Sequence, residues 1–376
     1  MPNKNSFKQL AIPAVTSLSP YQPGKPIDEL ERELGLQNII KLASNENPLG
    51  PSTKVQEAVN AAIEETALYP DGNGFHLKQA LSEKLGVSTE TITLGNGSND
   101  VLDLVARVFL NAGREAVYSE YAFIVYSIAT QSVGATARVA TALSQDSEQP
   151  YGHDLAAMAA LVNEKTSVVF IANPNNPTGT WLRKDQLKAF LDGMPKHVMV
   201  VLDEAYGEYI TESEYPNALE WLASYPNLVI TRTFSKAYGL AGLRVGYSIS
   251  HPDIADLLNR VRMPFNVNSL GLVAAQAALS DEAYIAESCR LNKQGLQQLS
   301  AGFEALGLSY IPSVGNFISV DMGQDAMSIY DALLHEGIIV RPIAGYNMPN
   351  FLRVSVGLAD QNTALLVALK KVMERV

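Results

Sequence analysis

A single cysteine, Cys289, stands among the 376 residues, which excludes a disulfide framework and any site built on several thiolates. Such usage fits a reducing cytoplasm. The five histidines (His76, His153, His197, His251 and His335) are scattered without the short spacings of a ligand motif, so no metal is expected. Long apolar runs are missing too. Pro13 interrupts LAIPAV near the start, and no segment approaches the ~20 apolar residues of a spanning helix, so neither an export signal nor a membrane anchor is visible. Basic charge is the third deficit: Lys and Arg number 28 against 39 Asp and Glu, a formal net charge of −11. That field repels phosphate backbones and anionic membrane surfaces, and it argues against nucleic acid or membrane as the main partner. If the ligand is itself an anion, the few arginines and backbone N–H donors must gather at one place.

What is present is an ordinary core: 47% of residues are hydrophobic and 18% charged, enough for one large domain and a smaller one. Residues 1–30 hold Pro2, Pro13, Pro20, Pro23 and Pro26 and read as an extended N-terminal arm. From Thr91 the runs TITLGN, AVYSE, TARVAT, SVVFIAN, VMVVLDEAY, LVITRTFS and RVGYSIS alternate with helical patterns, predicting a seven-stranded α/β sheet with helices on both faces. After about Met263 the rhythm changes. A long helical region runs through the 270s to the 300s, then SYIPSV, FISVDM, IIVRP and FLRVSVG alternate with helices at Ala326–His335 and Asn362–Val376, as in a smaller α+β domain. The expected division is 45–262 for the large domain, and 31–44 with 263–376 for the small one.

Four clusters carry chemistry. In TLGNGSNDVLDLVARVFL a strand ends at Gly95 and Gly97, with Ser98 placed to cap the helix that follows; free N–H groups and the positive helix end there suit a phosphate. The same pattern also serves as a plain structural turn. ANPNNPTG follows the apolar strand SVVFIA, at the carboxyl end where open α/β sheets bind ligands, and Asn176 has an amide to offer. In VMVVLDEAY a buried strand ends in Asp203, whose carboxylate needs a cation: a metal, a lysine or a protonated ring nitrogen. Lys236 in TRTFSKAYGLAGLRVGY sits among small and apolar residues with Arg244 eight positions on, surroundings that lower an amine pKa and make it nucleophilic.

PNNPTG, DEAY and SKAYGLAGLRVG, in this order and spacing, resemble the fold-type-I pyridoxal-phosphate aminotransferases, and the likeness runs from SNENPLGPS to LRVSVG. LSPYQPG, KLASNENPLG, YPDG and GNGSND make it most similar to the histidinol-phosphate aminotransferase family. The resemblance implies a mostly parallel seven-stranded sheet and pyridoxal 5'-phosphate as cofactor. Lys236 would bond the cofactor's aldehyde carbon and move the substrate proton. Asp203 would pair with the ring nitrogen, and Asn176 and Tyr206 with the ring oxygen. Tyr121 would stack on the ring. Gly97, Ser98, Asn99, Thr233, Ser235 and Arg244 would hold the phosphate. Tyr69 would reach the cofactor phosphate of a neighbouring subunit, so a homodimer is implied.

For the substrate, Arg353 would pair with the carboxylate of glutamate or 2-oxoglutarate, while Arg341 and Tyr21 would hold the phosphate of histidinol phosphate, with Asn47 nearby. One cationic pocket would then serve both half-reactions of a ping-pong transamination in histidine biosynthesis. The rival readings are an aromatic amino-acid aminotransferase, a phosphothreonine decarboxylase on the same scaffold, and a non-catalytic cofactor-sensing regulatory module. The last normally adds a DNA-binding domain and a basic surface, which the charge of −11 opposes.

Overall fold

The computed structural model describes residues 7–375; Pro2 and the rest of residues 1–6 of the expected arm, and Val376, lie outside the described residues. The first strand, β1 (Ile40–Lys41), is short. All seven runs from the alternation form strands: β2 (Ile92–Gly95), β3 (Glu115–Ser119), β4 (Thr136–Ala140), β5 (Thr166–Ala172), β6 (Met199–Asp203), β7 (Leu228–Thr233) and β8 (Gly246–Ser250). They form one sheet in the order β2-β8-β7-β6-β5-β3-β4. The strands from β4 to β7 in that order run parallel, and β8 runs antiparallel to both neighbours, β7 and β2.

The apolar runs of β5 and β6 follow from burial on both faces. Val169 and Ile171, Val200 and Leu202, Leu228 and Ile230 pack into one core, while Val168, Phe170, Val201 and Val229 pack into another on the opposite face. The switch at every residue is the strand period of two. Each fully buried side chain of this size contributes about 1.5–3 kcal/mol. The reversal of β8 has a local cause: only the loop Phe234–Val245 separates β7 from β8, and its single regular piece is the 3-10 turn Ala241–Leu243. A parallel return would need a crossover, usually a helix, which this loop does not hold.

A second antiparallel sheet combines β9 (Tyr310–Ile311), β10 (Phe317–Asp321), β12 (Arg341–Pro342) and β13 (Phe351–Ser355), in the order β12-β13-β10-β9. Between them β11 (Ile338–Ile339) pairs in parallel with β1. Leu42, Phe303, Ile318, Val320, Leu333, Leu352, Val354 and Leu365 share this unit's core. The boundary expected at 262/263 does not follow the packing, since Val267, Ala274, Ala275, Ala278 and Leu279 join the core of the large sheet.

The long helical region is two helices, Ser269–Leu279 and Glu282–Ala305, divided where Asp281 caps the second by accepting from Tyr284 N at 3.3 Å. Ala326–His335 is helical as expected, and the last helix begins earlier than Asn362, at Ala359, and ends at Met373. The arm is not wholly extended: Pro13 opens the turn Pro13–Thr16 and Pro26 caps the helix Ile27–Leu34. Both prolines occupy helix starts, where the missing N–H costs nothing. Among the described residues no helix is long and apolar enough to cross a membrane, and no three His, Cys, Asp or Glu side chains are grouped to hold a metal.

Candidate active site

The carboxyl ends of β2, β5, β6 and β7 meet the start of β8 on one rim, and the antiparallel sheet of the second unit closes over it. Between them lies a cavity of about 210 Å³ lined by Tyr21, Ser98, Asn99, Asn176, Asp203, Tyr206, Thr233, Ser235, Lys236, Arg244, Arg341 and Arg353. Those contributed by the large sheet stand at or just beyond a strand end, where the backbone leaves the ladder and side chains face open space. The two X-Pro bonds beside Asn176, Asn173–Pro174 and Asn176–Pro177, are cis.

Lys236 follows β7 by three residues, and its Nζ donates to Ser44 O at 3.2 Å and lies 5.8 Å from the centre of the Tyr206 ring. Burial, with Arg353 nearby, lowers its pKa to about 7. Asp203, the last residue of β6, is 3% exposed. Its Oδ2 accepts from the Tyr126 hydroxyl at 2.9 Å and its Oδ1 from Thr231 Oγ1 at 3.0 Å, and burial raises its pKa to about 6 despite them. Both partners are neutral, so among the described residues the carboxylate has no charged side-chain counterpart within hydrogen-bond reach. The neighbouring Glu204 differs: it pairs with Arg232 at 2.8 Å on the other side of the strand end.

The phosphate-like corner is built from glycines. Gly97, with φ +80° and ψ 166°, is the N-cap of the helix Ser98–Phe109, so Ser98 is the first helical residue rather than the expected cap. A Cβ on Gly97 would run into Arg244 Nη2, and one on Gly246 would stand 2.9 Å from Ser98 Cα. Glycine at both positions lets the helix start, β8 and the guanidinium share one corner. Arg244 Nη1 donates to Ser235 Oγ and to Ala241 O, both at 3.1 Å. Backbone N–H groups, a hydroxyl and a fixed cation thus converge on the cavity.

The opposite wall comes from the second unit. Arg353 on β13 is 7% exposed; its Nη1 donates to Asn176 Oδ1 at 2.6 Å and its Nη2 to Ala43 O at 3.0 Å, while its Nε is buried without a partner. Asn176 thereby keeps its NH₂ free for a ligand. Arg341 on β12 donates to Gln22 O at 2.5 Å and lies 5.6 Å from the centre of the Tyr21 ring, which ties the arm to this wall.

Two residues expected around the ligand, Tyr121 and Asn47, stand elsewhere, and Tyr69, expected at a neighbouring subunit's site, faces outward. Tyr121 does not line the cavity; it packs edge-on against Tyr151 at 5.5 Å, its carbonyl accepts from Asn175 Nδ2, and Phe123 takes the place on the cavity wall. Asn47 also turns away, its amide donating to Ala237 O at 2.9 Å and Ser288 Oγ at 2.8 Å. Tyr69 is 83% exposed and stacks on Phe265 at 4.7 Å on the outer surface. Conversely, Asn45, Phe123 and Tyr346 line the cavity and Tyr126 holds Asp203, none of which the motifs indicated. The NPNNPTG and SKAYG stretches carried strong local patterns, whereas these four residues reach the site through tertiary packing.

A family model described as aminotransferase class I and II matches residues 37–369. Among curated relatives, a histidinol-phosphate aminotransferase 2 of Pseudomonas fluorescens (strain Pf0-1) is 59% identical over 372 residues, covering 98% of this chain and 99% of the relative. One from Methylococcus capsulatus is 58% identical over 368 residues, with the same coverage. Among solved structures, the histidinol-phosphate aminotransferase of Sinorhizobium meliloti in complex with pyridoxal-5'-phosphate superposes with a TM-score of 0.89 at 31% identity, covering 99% of both chains.

Proposed function

The chain belongs to the class I and II aminotransferases, and on that premise we propose that it moves the amino group of L-histidinol phosphate to 2-oxoglutarate, giving 3-(imidazol-4-yl)-2-oxopropyl phosphate and L-glutamate. It is a pyridoxal-phosphate-dependent transaminase. The observation that carries the substrate reading is one cavity holding a lysine of pKa about 7 together with Arg341 and Arg353. The relatives of 58–59% identity bear the name histidinol-phosphate aminotransferase, which supports it.

The residues present fit the cofactor. The buried Asp203 carboxylate, with no charged side-chain partner among the described residues, is suited to a protonated ring nitrogen, and the Gly97 corner leaves room that a side chain would fill. Ser98 and Asn99 N–H groups, Ser235 and Arg244 would hold the phosphate, Asn176 and Tyr206 the ring oxygen, and Lys236 the aldehyde carbon. The cofactor, once bound, supplies an electron-accepting ring that lets a proton leave the substrate's α-carbon. Lys236, whose Nζ has its pKa lowered to about 7 by burial, would be the group that takes up and gives back that proton. Arg353 and Arg341 orient the substrate anion, phosphate or carboxylate in turn, and Phe123 and Tyr346 offer flat apolar walls to the imidazole.

We assign the exposed Leu68, Tyr69 and Phe265, at 70%, 83% and 45% exposure, to a homodimer interface through which Tyr69 serves the neighbouring site. The likeness to biosynthetic enzymes acting on small polar substrates supports a cytoplasmic location. A half-reaction panel tests the substrate. Purified holoenzyme mixed separately with histidinol phosphate, glutamate, phenylalanine, tyrosine and phosphothreonine should convert its cofactor with histidinol phosphate and glutamate, and faster with histidinol phosphate than with phenylalanine, tyrosine or phosphothreonine. Faster conversion by phenylalanine would select the aromatic enzyme, carbon dioxide release the decarboxylase, and no conversion by histidinol phosphate or glutamate would overturn the assignment.

A further inference from the structure

Asn45 is a buried residue, 1% exposed, with φ +54°, in a region that side-chain-bearing residues seldom visit. Two sets of bonds hold it there. Its backbone N–H donates to Ser355 Oγ at 2.7 Å, that hydroxyl donates back to Asn45 Oδ1 at 3.2 Å, and Asn45 O accepts from Asn316 Nδ2 at 2.9 Å. With its carbonyl so engaged, the Asn45 amide presents Nδ2 in one direction, to the Tyr206 hydroxyl oxygen at 2.9 Å.

The consequence lies in the remaining hydrogen of Tyr206. A phenol that accepts from Asn45 keeps its own proton for another acceptor, and it finds none among the described residues. Tyr206 lines the cavity, so the direction left to that proton is the ligand. We propose that Asn45 is a positioning residue that turns the Tyr206 hydroxyl outward as a donor to the cofactor's ring oxygen and strengthens that donation. The proposal rests on reading Tyr206 as a cofactor-facing residue. An accepted hydrogen bond lowers the basicity of the phenol oxygen, in keeping with the direction in which Asn45 acts on the Tyr206 pKa.

The same bonds connect two walls. Arg353 and Ser355 alternate on one face of β13; Arg353 reaches Asn176 directly and Ser355 reaches Tyr206 through Asn45. The strand that receives the substrate anion is therefore bonded to both residues that would hold the ring oxygen.

The test is the pH dependence of the substrate-free holoenzyme's absorbance, read in Asn45→Gly, Asn45→Asp, Tyr206→Phe and the double variant Asn45→Gly/Tyr206→Phe. Glycine removes the amide while relaxing the positive φ, and aspartate keeps the shape while losing the donor. Donation by Tyr206 stabilises the ring oxygen's negative charge most when the neighbouring nitrogen is unprotonated, so weakening it raises the spectroscopic midpoint. Both Asn45 variants should raise it by about half to one pH unit, the worth of one hydrogen bond. In the Tyr206→Phe background Asn45→Gly should add nothing. Midpoints unmoved by the Asn45 variants but moved by Tyr206→Phe overturn the proposal and leave the reading of Tyr206 intact. A midpoint unmoved by Tyr206→Phe overturns both, and an undiminished Asn45 effect in the double variant overturns the proposal alone.

Discussion

Replacing Gly97 by alanine probes the corner where the helix start meets Arg244. At φ +80° and ψ 166° the backbone occupies a region open essentially to glycine, and a side chain there costs about 1–3 kcal/mol. The new methyl would also lie 3.0 Å from Arg244 Cζ and nearer still to Nη2, so the guanidinium must move off its bonds to Ser235 Oγ and Ala241 O. If Arg244 holds the cofactor phosphate, losing that charged hydrogen bond costs about 1.5–3 kcal/mol. The cofactor dissociation constant should then rise about 10- to 150-fold. Titration of the cofactor-free variant by fluorescence measures it, and thermal melts of the same preparation measure the strain. Arg244→Gln, which loses the cation without straining Gly97, should reproduce the affinity loss at near-normal stability. A Gly97→Ala protein that binds cofactor as tightly as the parent would refute the argument, whatever its melting temperature.

The other predictions concern charge. Asp203 has its folded pKa raised from 3.8 to about 6, so its ionised form penalises the cofactor-free fold above pH 6 and has no effect below pH 3.8. Asp203→Asn should therefore stabilise cofactor-free protein at pH 8 by up to ~3 kcal/mol, gain little at pH 4, and abolish turnover; equal denaturation midpoints at pH 8 would contradict this. Lys236 has its pKa lowered to about 7, so covalent capture of the cofactor should accelerate with a midpoint near pH 7 and level off above it. Stopped-flow absorbance would show a midpoint near 10 instead if burial does not act in this way. Arg353→Lys keeps the charge but loses the two-pronged contact with Asn176 and Ala43. It should lower kcat/KM for glutamate and for histidinol phosphate alike, by about 10- to 100-fold, and a loss confined to one substrate would mean two separate anion sites.

The large sheet was legible because its strands are apolar on both faces and end at short chemical motifs. SVVFIANPNN and VMVVLDEAY each announce a buried strand and a candidate site residue at its end or just beyond, Asn176 or Asp203. The direction of β8 was not legible, since it depends on the loop Phe234–Val245 lacking a crossover helix rather than on the residues of β8. Asn45 and Asn47 alternate in SNEN, and nothing local decides which faces the ligand; Ser355, 310 positions away, turns Asn45 toward Tyr206, while Ser288 and the Ala237 carbonyl hold Asn47 aside. Tyr121 was likewise displaced by a distant partner, Tyr151, leaving the cavity wall to Phe123.

The arrangement of the rim also fixes a timetable. Every rim residue that would grip the cofactor, from Ser98 to Arg244, lies before the end of β8 at Ser250, whereas Arg341 and Arg353 come on strands made nearly a hundred residues later. A chain growing from its amino terminus has made its own cofactor-gripping residues well before it has the cations that receive the amino donor. The lysine at the centre of the site is translated long before Arg341 and Arg353, the cations beside it.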